Sequence, residues 1–284
     1  MPVNRNGQAK LLKHHEMENL IEYGLITARD KCVFAFGYYT SLRISEVVNL
    51  PYKNVFSENT VYDEIVIPKE ITKGKKGTRT IPAHPDLKRF CERYRQDSIE
   101  LLRIKQEYGD WSHKNLSSDG KIHVDKSFRC PKCDFFRVTK HNQYKNEMLY
   151  LCKKCRKYFR DSQAKRTTGA DAEEIIYDPL GVTSSKDYGF LFLDPTNPYL
   201  FTGRYGRGHL SRRGAMGILE DAFKRVQISG ASSHSGRRTS LSEMHAKGIP
   251  LRVLQEISGH SDLASLQRYL EVSDEDIEEA INIL

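Results

Sequence analysis

Four cysteines in two pairs define the first chemistry that this chain could perform. Cys130-Pro131-Lys132-Cys133 and Cys152-Lys153-Lys154-Cys155 are C-x-x-C pairs with 18 residues between them. One such turn brings two thiolates onto a metal ion, and a second completes a tetrahedral four-sulfur shell. The spacing predicts a zinc ribbon over about 126–166, with a hairpin joining the two knuckles. Four thiolates leave no open coordination position, so the expected zinc is structural rather than catalytic. The rival readings are a redox dithiol, which would need only one pair, and chance. Cys32 and Cys91 lie in helical stretches and are expected to be buried small hydrophobes rather than ligands.

Charge concentrates around the same cysteines. The chain carries a net +8. Between Lys126 and Arg166 there are 13 Lys and Arg against 3 Asp and Glu, which leaves 32 basic and 34 acidic residues elsewhere. One segment therefore holds the whole excess, and its partner is expected to be a polyanion. Phe128, Phe135, Phe136, Tyr144, Tyr150, Tyr158 and Phe159 are interleaved with the cations. Some must form the ribbon's own small core, while its basic face is expected to grip phosphates. No run approaches the length of a membrane span, and the polar start of the chain lacks the apolar stretch of a secretory signal. An intracellular protein with no membrane partner is the expectation.

Three further segments carry reactive residue types. Thr40-Ser41-Leu42-Arg43-Ile44-Ser45-Glu46 is the first and His234-Ser235-Gly236-Arg237-Arg238-Thr239 the second. The third is Gly259-His260, followed nine residues later by Tyr269. Together, in this order, they resemble the tyrosine recombinases of the phage-integrase kind: the T-G-L-R-x-x-E box, the H-x-x-R box and the G-H…Y signature. Tyr199-Leu200-Phe201 is similar to the stretch before the second box. The resemblance covers roughly 20–90 and 198–275 and leaves the zinc segment as an insertion. Taken singly, each residue has an ordinary structural reading as a salt-bridged arginine, a core histidine or a tyrosine at the edge of a core. Ser41 stands where the family has Gly, and Gly236 where Leu is common; both are expected to touch packing rather than reacting groups.

The resemblance implies site-specific DNA recombination or integration through a 3′-phosphotyrosyl intermediate. It assigns Arg43 and Arg237 to the non-bridging phosphate oxygens and Tyr269 to nucleophilic attack. His234 becomes the acceptor of the phenol proton and His260 a hydrogen-bond donor to the phosphate, with Glu46 orienting Arg43. A lysine at a hairpin tip serves as acid for the leaving 5′-oxygen; Lys73 is favoured, with Lys75 and Lys76 as alternatives. Neither a metal nor a nucleotide is expected for the reaction itself. Double-stranded DNA is the implied partner, with self-association on it. The chain ahead of the first box is expected to be too short for the family's separate helical clamping domain, a part that the ribbon or an accessory DNA-binding protein could supply. Rival functions are a catalytically silent zinc-ribbon regulator, a nicking, relaxing or hairpin-resolving enzyme of the same fold, and a metal-dependent nuclease or transposase.

The elements that must position these residues follow from pattern. Thr27-x-x-Asp30 reads as a helix N-cap, and the helical region closes at Leu50-Pro51. Glu64–Pro68 and Thr78–Ile81 are β-prone runs around a Gly/Lys tip, which predicts a hairpin. A charged helix is expected over 87–105, and helices again after His209. Ser261 is expected to cap a helix with Leu263, Leu266 and Leu270 on its apolar stripe. The fold class is α+β, mainly α: a recombinase catalytic domain with a small β-hairpin region, interrupted by a four-Cys zinc ribbon. The expected divisions are a tail at 1–20, catalytic parts at 21–108 and 198–272, an insertion at 109–197 and a C-terminal tail helix at 273–284.

Overall fold

A computed structural model describes residues 8–58, 60–72, 74, 77–108, 121–177, 197–203, 208–267, 270 and 281–282. The chain divides into two compact units, Met1–Ser98 with Gly189–Leu284, and Ile99–Tyr188. Helices dominate the first unit and small antiparallel sheets the second. This is the α+β, mainly α class expected.

In the first unit, α1 (His14–Asn19) runs into a π-type turn at Leu20–Gly24. Leu12, Met17 and Leu20 are buried, so residues 12–20 of the stretch expected to be a tail pack into the core. Backbone bonds hold it down: Lys10 N–H donates to Gly230 O at 3.0 Å, and Leu12 N–H to Thr239 Oγ1 at 2.9 Å. Helix α2 (Ala28–Tyr39) starts at the expected cap, where Thr27 Oγ1 accepts from Asp30 N–H at 3.1 Å. Cys32, Val33, Ala35 and Phe36 are each at most 1% exposed, as befits a helix through the middle of a core.

The helical region does not continue unbroken to Leu50. It stops at Tyr39, and a second helix, α3 (Ile44–Val48), begins after Arg43. Between them Ser41 takes a left-handed φ of 50°. The expected hairpin is present as β1 (Glu64–Ile67) paired antiparallel to β2 (Arg79–Pro82), with Ile67 opposite Arg79. Helix α4 (Pro85–Tyr108) follows, with Leu87, Cys91 and Tyr94 buried. Cys32 and Cys91 are both fully buried, as expected, with their sulfurs 3.6 Å apart.

The later helices are α5 (Arg212–Arg225), α6 (Ser235–Ala246), α7 (Leu251–Ser258) and α8 (Leu263–Gln267). A small apolar cluster of Leu241, Leu254 and Leu266, with Leu270 packed against it, ties α6, α7 and α8 together. Leu263, expected in that stripe, is 42% exposed instead. The cap of α8 is also one residue later than expected: Asp262 Oδ1, not Ser261, accepts from Ser265 N–H at 2.7 Å. The proposed C-terminal tail helix lies outside the described residues except for Ile281 and Asn282, both exposed. No helix among the described residues is long and apolar enough to cross a membrane.

Among the described residues, seven short strands make up most of the second unit. In chain order they are β3 (Lys121–Asp125), β4 (Phe128–Arg129), β5 (Val138–Tyr144), β6 (Glu147–Cys152), β7 (Tyr158–Arg160), β8 (Lys165–Arg166) and β9 (Glu173–Tyr177). Strand β5 pairs with β6 and β6 with β7, while β4 pairs with β8 and β3 with β9, all antiparallel. The β5–β6 turn has two left-handed residues, Lys145 at φ 48° and Asn146 at φ 64°. That conformation matches the twist of a tight hairpin, the one expected between the knuckles. Phe128, Tyr150 and Phe159 pack ring on ring, with Phe128 and Tyr150 centroids 4.6 Å apart. Late in this unit lies β9, whose partner β3 is about fifty residues earlier.

Candidate active site

Two breaks in helix create the site. At the first, Arg43 caps α3 in an extended conformation, and Glu46 turns back onto it. Glu46 Oε2 accepts from Arg43 N–H at 2.8 Å, and Oε1 from Arg43 Nη1 at 3.1 Å. The carboxylate is 1% exposed, so its pairing with the guanidinium is shielded from solvent. At the second break α7 ends on Gly259, which is left-handed at φ 65° and donates its N–H to Gln255 O at 2.8 Å. His260 follows immediately.

Arg237, on the first turns of α6, joins these two places. Nη1 donates to the carbonyl of Ser41, and Nη2 to the carbonyl of Ser258 at 3.0 Å and to His260 Nε2 at 3.2 Å. The side chain is 1% exposed. Ser41 was expected to touch packing alone. Its backbone instead holds the second arginine, and its hydroxyl meets Ser240 Oγ at 3.0 Å. The left-handed conformation explains why glycine is usual there. Gly236 does concern packing, because a Cβ at that position would meet Phe34 Cε2 at 3.0 Å. The Phe34 ring occupies the space that a side chain at 236 would need.

The hydrogen bonds assign the tautomer of His260. Ser258 Oγ donates to Leu254 O at 2.6 Å, so it accepts from Nδ1–H of His260 at 2.7 Å. Nε2 is left as an acceptor facing Arg237. Burial, then the Arg237 and Arg43 guanidiniums, push the imidazole pKa down to about 3, against a small opposing effect of Asp262. His234 stands at the N-cap of α6. Burial, then the charges of Arg237, Arg212 and Arg43, lower its pKa as well. Both rings are neutral at physiological pH.

Arg43 and His260 line one cleft of about 540 Å³, together with Arg79, Arg252, Thr72 and Gly74. The structure thus brings together Arg43, Arg237 and His260 of the six expected residues, and places His234 within electrostatic reach of both arginines. Lys73 and Tyr269 lie outside the described residues, as do Lys75 and Lys76. Two arginines with defined places in the structure carried no claim of their own in the sequence. Arg79 reaches into the same cleft, and Arg238 donates to Ala9 O and Gln8 Oε1, which secures the N-terminal stretch. For Arg79 a signal was available: it alternates with buried Ile81 on β2, and strand alternation turns both to one face.

A second candidate site lies in the other unit. The sulfurs of Cys130, Cys133, Cys152 and Cys155 all fall within 4.8 Å of one another. Cys130 and Cys155 are 3.7 Å apart, and Cys133 and Cys152 3.6 Å. Tetrahedral zinc with Zn–S of 2.3 Å needs sulfurs about 3.8 Å apart, so the set fits such an ion. Each knuckle closes on a left-handed residue, Asp134 at φ 60° and Arg156 at φ 59°. Their N–H groups bond to the carbonyls of Cys130 and Cys152 respectively.

The model of the phage integrase family matches residues 135–276, half of the chain. A tyrosine recombinase of Thermosipho africanus is 28% identical over 94 residues, 33% of each chain. The tyrosine recombinase XerA of Pyrococcus furiosus is 30% identical over 115 residues, which are 40% of this chain and 39% of the relative. The chain thus spans between a third and two fifths of the length of these curated relatives. In fold it is similar to the crystal structure of XerA recombinase, with a TM-score of 0.52 and 15% identity, covering 97% of this chain and 65% of that one.

Proposed function

From the premise that the chain belongs to the phage integrase family, we propose that it is a site-specific DNA recombinase that cleaves and rejoins strands through a 3′-phosphotyrosyl bond at Tyr269. The observation that carries the reading is the convergence of Arg43 and His260 on one cleft, with Arg237 bonded to His260. A phosphodiester repels nucleophiles, and its negative charge grows as the phosphorus is attacked. Two guanidiniums hold that charge in forked geometry and do not lose their own.

Tyr269 Oη attacks the phosphorus, and the P–O5′ bond breaks. The phenol proton passes to His234, whose lowered pKa leaves it neutral and ready to accept. The departing 5′-oxygen takes a proton from the hairpin tip, by sequence match from Lys73. His260 Nε2, an acceptor toward Arg237 before DNA binds, takes a proton from solvent as the phosphate anion offsets the burial and the arginine charges that lower its pKa, and then donates to that phosphate. The phosphotyrosyl link keeps the bond energy, so a second 5′-hydroxyl reverses the attack without ATP. No step requires a metal or nucleotide.

The four-cysteine set binds structural zinc in this reading, and the ribbon aids DNA binding. Support comes from its exposed cations and aromatics: Arg160 lies 5.4 Å and Lys145 5.6 Å over the ring of Tyr144, itself 50% exposed. The partner is double-stranded DNA, on which copies self-associate inside the cell, with or without an accessory DNA-binding protein. The catalytic domain is formed from 21–108 and 198–272 together with the buried stretch 12–20, and 109–197 is an insertion within it.

The test is to express wild type and Tyr269→Phe in cells with their native DNA, lyse in detergent and isolate protein-linked DNA. Adducts in wild type alone, joined through a 3′-phosphate, establish the nucleophile, and the attached DNA gives the target. Rejoined products distinguish a recombinase from a nicking or hairpin-resolving enzyme. DNA binding with no adduct in either protein would instead identify a silent regulator.

A further inference from the structure

Arg79 has no part in the scheme above, yet it touches α3 and α7, the elements next to two of that scheme's phosphate ligands, Arg43 and His260. Its side chain is 13% exposed, and its Nη2 lies 3.6 Å from Glu46 Oε2. The same carboxylate bonds Arg43 through Oε1. On the other side Arg79 Nη1 donates to the carbonyl of Ile257, in the last turn of α7, at 3.0 Å. Nε and Nη2 are buried and have no hydrogen-bond partner among the described residues. That edge of the guanidinium therefore faces protein rather than an incoming phosphate.

Gly259 marks the same passage. A Cβ at 259 would lie 2.2 Å from Arg79 Nη1 and 2.6 Å from its Cζ. A side chain there would displace the arginine, quite apart from the left-handed φ of 65°. The glycine before His260 thus gives the guanidinium its route to the end of α7.

Charge completes the case. Facing Arg43 alone, the buried Glu46 carboxylate would form a closed, neutral ion pair. With a second guanidinium on that carboxylate, the three groups together keep one positive charge, and Arg43 retains attraction for a phosphate. We propose that Arg79 is a positioning residue for strand cleavage, sharing Glu46 with Arg43 and binding the end of α7 so that Arg43 and His260 are held in register across the cleft. This inference rests on the recombinase reading of that cleft.

The test uses full-length Arg79→Met, which keeps the aliphatic stem without the charge, and Arg79→Lys, which restores charge. Duplex oligonucleotides of the sequence recovered with the wild-type adduct serve as substrate. Single-turnover adduct formation and DNA affinity are measured separately. Removing a charge-assisted hydrogen bond predicts a roughly 10- to 100-fold slower adduct step in Arg79→Met. Affinity should change by less than about threefold, and Arg79→Lys should recover part of the rate. In DNA-free protein at neutral pH, the ¹⁵N shifts of His260, which report its tautomer and hydrogen bonds, should move in Arg79→Met while those of exposed His14 stay fixed. An unchanged rate, or rate and affinity falling together in both variants, overturns the assignment; so does an unmoved His260. Failure of wild type itself to form an adduct would defeat the recombinase reading, whereas the histidine shifts need no turnover and judge Arg79 alone.

Discussion

Nη1 of Arg237 donates to the backbone carbonyl of Ser41, 196 residues away in the chain, and Ser41 presents that carbonyl from a left-handed φ of 50°. A second carbonyl, that of Ser258, takes Nη2. The arginine is thereby oriented before any DNA arrives, which is what electrostatic stabilisation of a developing charge requires. Arg237→Lys keeps the charge but has no planar fork to span both carbonyls. Adduct formation should fall roughly 100- to 1,000-fold, and urea denaturation should register a loss of about 1–3 kcal/mol from the acceptor left unpaired.

Ser41 itself offers a test of backbone strain. Glycine at 41 relieves a left-handed penalty of about 1 kcal/mol and gives up one hydroxyl hydrogen bond of similar size. Ser41→Gly should therefore melt close to wild type and keep its adduct. Ser41→Val, β-branched and poorly suited to that conformation, should destabilise by more than about 1 kcal/mol. Thermal denaturation of the two variants separates them.

Stability should depend on the protonation of His260. The fold lowers its pKa from 6.5 to about 3, through burial and the neighbouring arginines. The folded state therefore binds fewer protons there than the unfolded chain. The contribution is fully present above about pH 6.5 and is lost as the pH falls toward 3. Its slope is at most about 1.4 kcal/mol per pH unit, reduced by whatever solvent reaches the cleft. Urea midpoints at pH 7 and pH 5 should fall more for wild type than for His260→Gln; equal falls would exclude the histidine as their source.

How far the sequence discloses this arrangement depends on the range over which each signal acts. The Thr27 cap, the β1–β2 hairpin and the cysteine knuckles were legible because each is settled within a few residues. The pairing of β3 with β9 joins segments about fifty residues apart and leaves no local mark. Ser41 was misjudged for another reason: its side-chain type says nothing about where its carbonyl points. Arg238 carried no claim of its own because the backbone that it secures lies 229 residues earlier.

Metal removal should act on one unit. Purified protein should carry about one zinc per chain, and Cys133→Ser should lower that content. Chelation should raise hydrogen exchange through 126–166, where the knuckles close the small core around Phe159. The core around Phe36 and Phe201 should keep its protection. Loss of protection in both regions would show that the ribbon's metal also supports the larger core.

Deleting 126–166 removes 13 basic residues against 3 acidic. Affinity for duplex DNA should fall, and the slope of log K against log salt should flatten by about 0.9 for each phosphate that is no longer neutralised. Unchanged binding would sink the role assigned to the ribbon.

The two carbonyls that hold Arg237 have an evolutionary consequence. Substitution can delete a carboxylate or a hydroxyl, but every amino acid brings a peptide oxygen. As far as Arg237 is concerned, positions 41 and 258 can change side chain and still hold it, provided that the chain turns left-handed at 41. Arg43 has no such insurance, because its side-chain partner is the carboxylate of Glu46. Of the two arginines, the first should be the more exposed to inherited loss, through a codon other than its own.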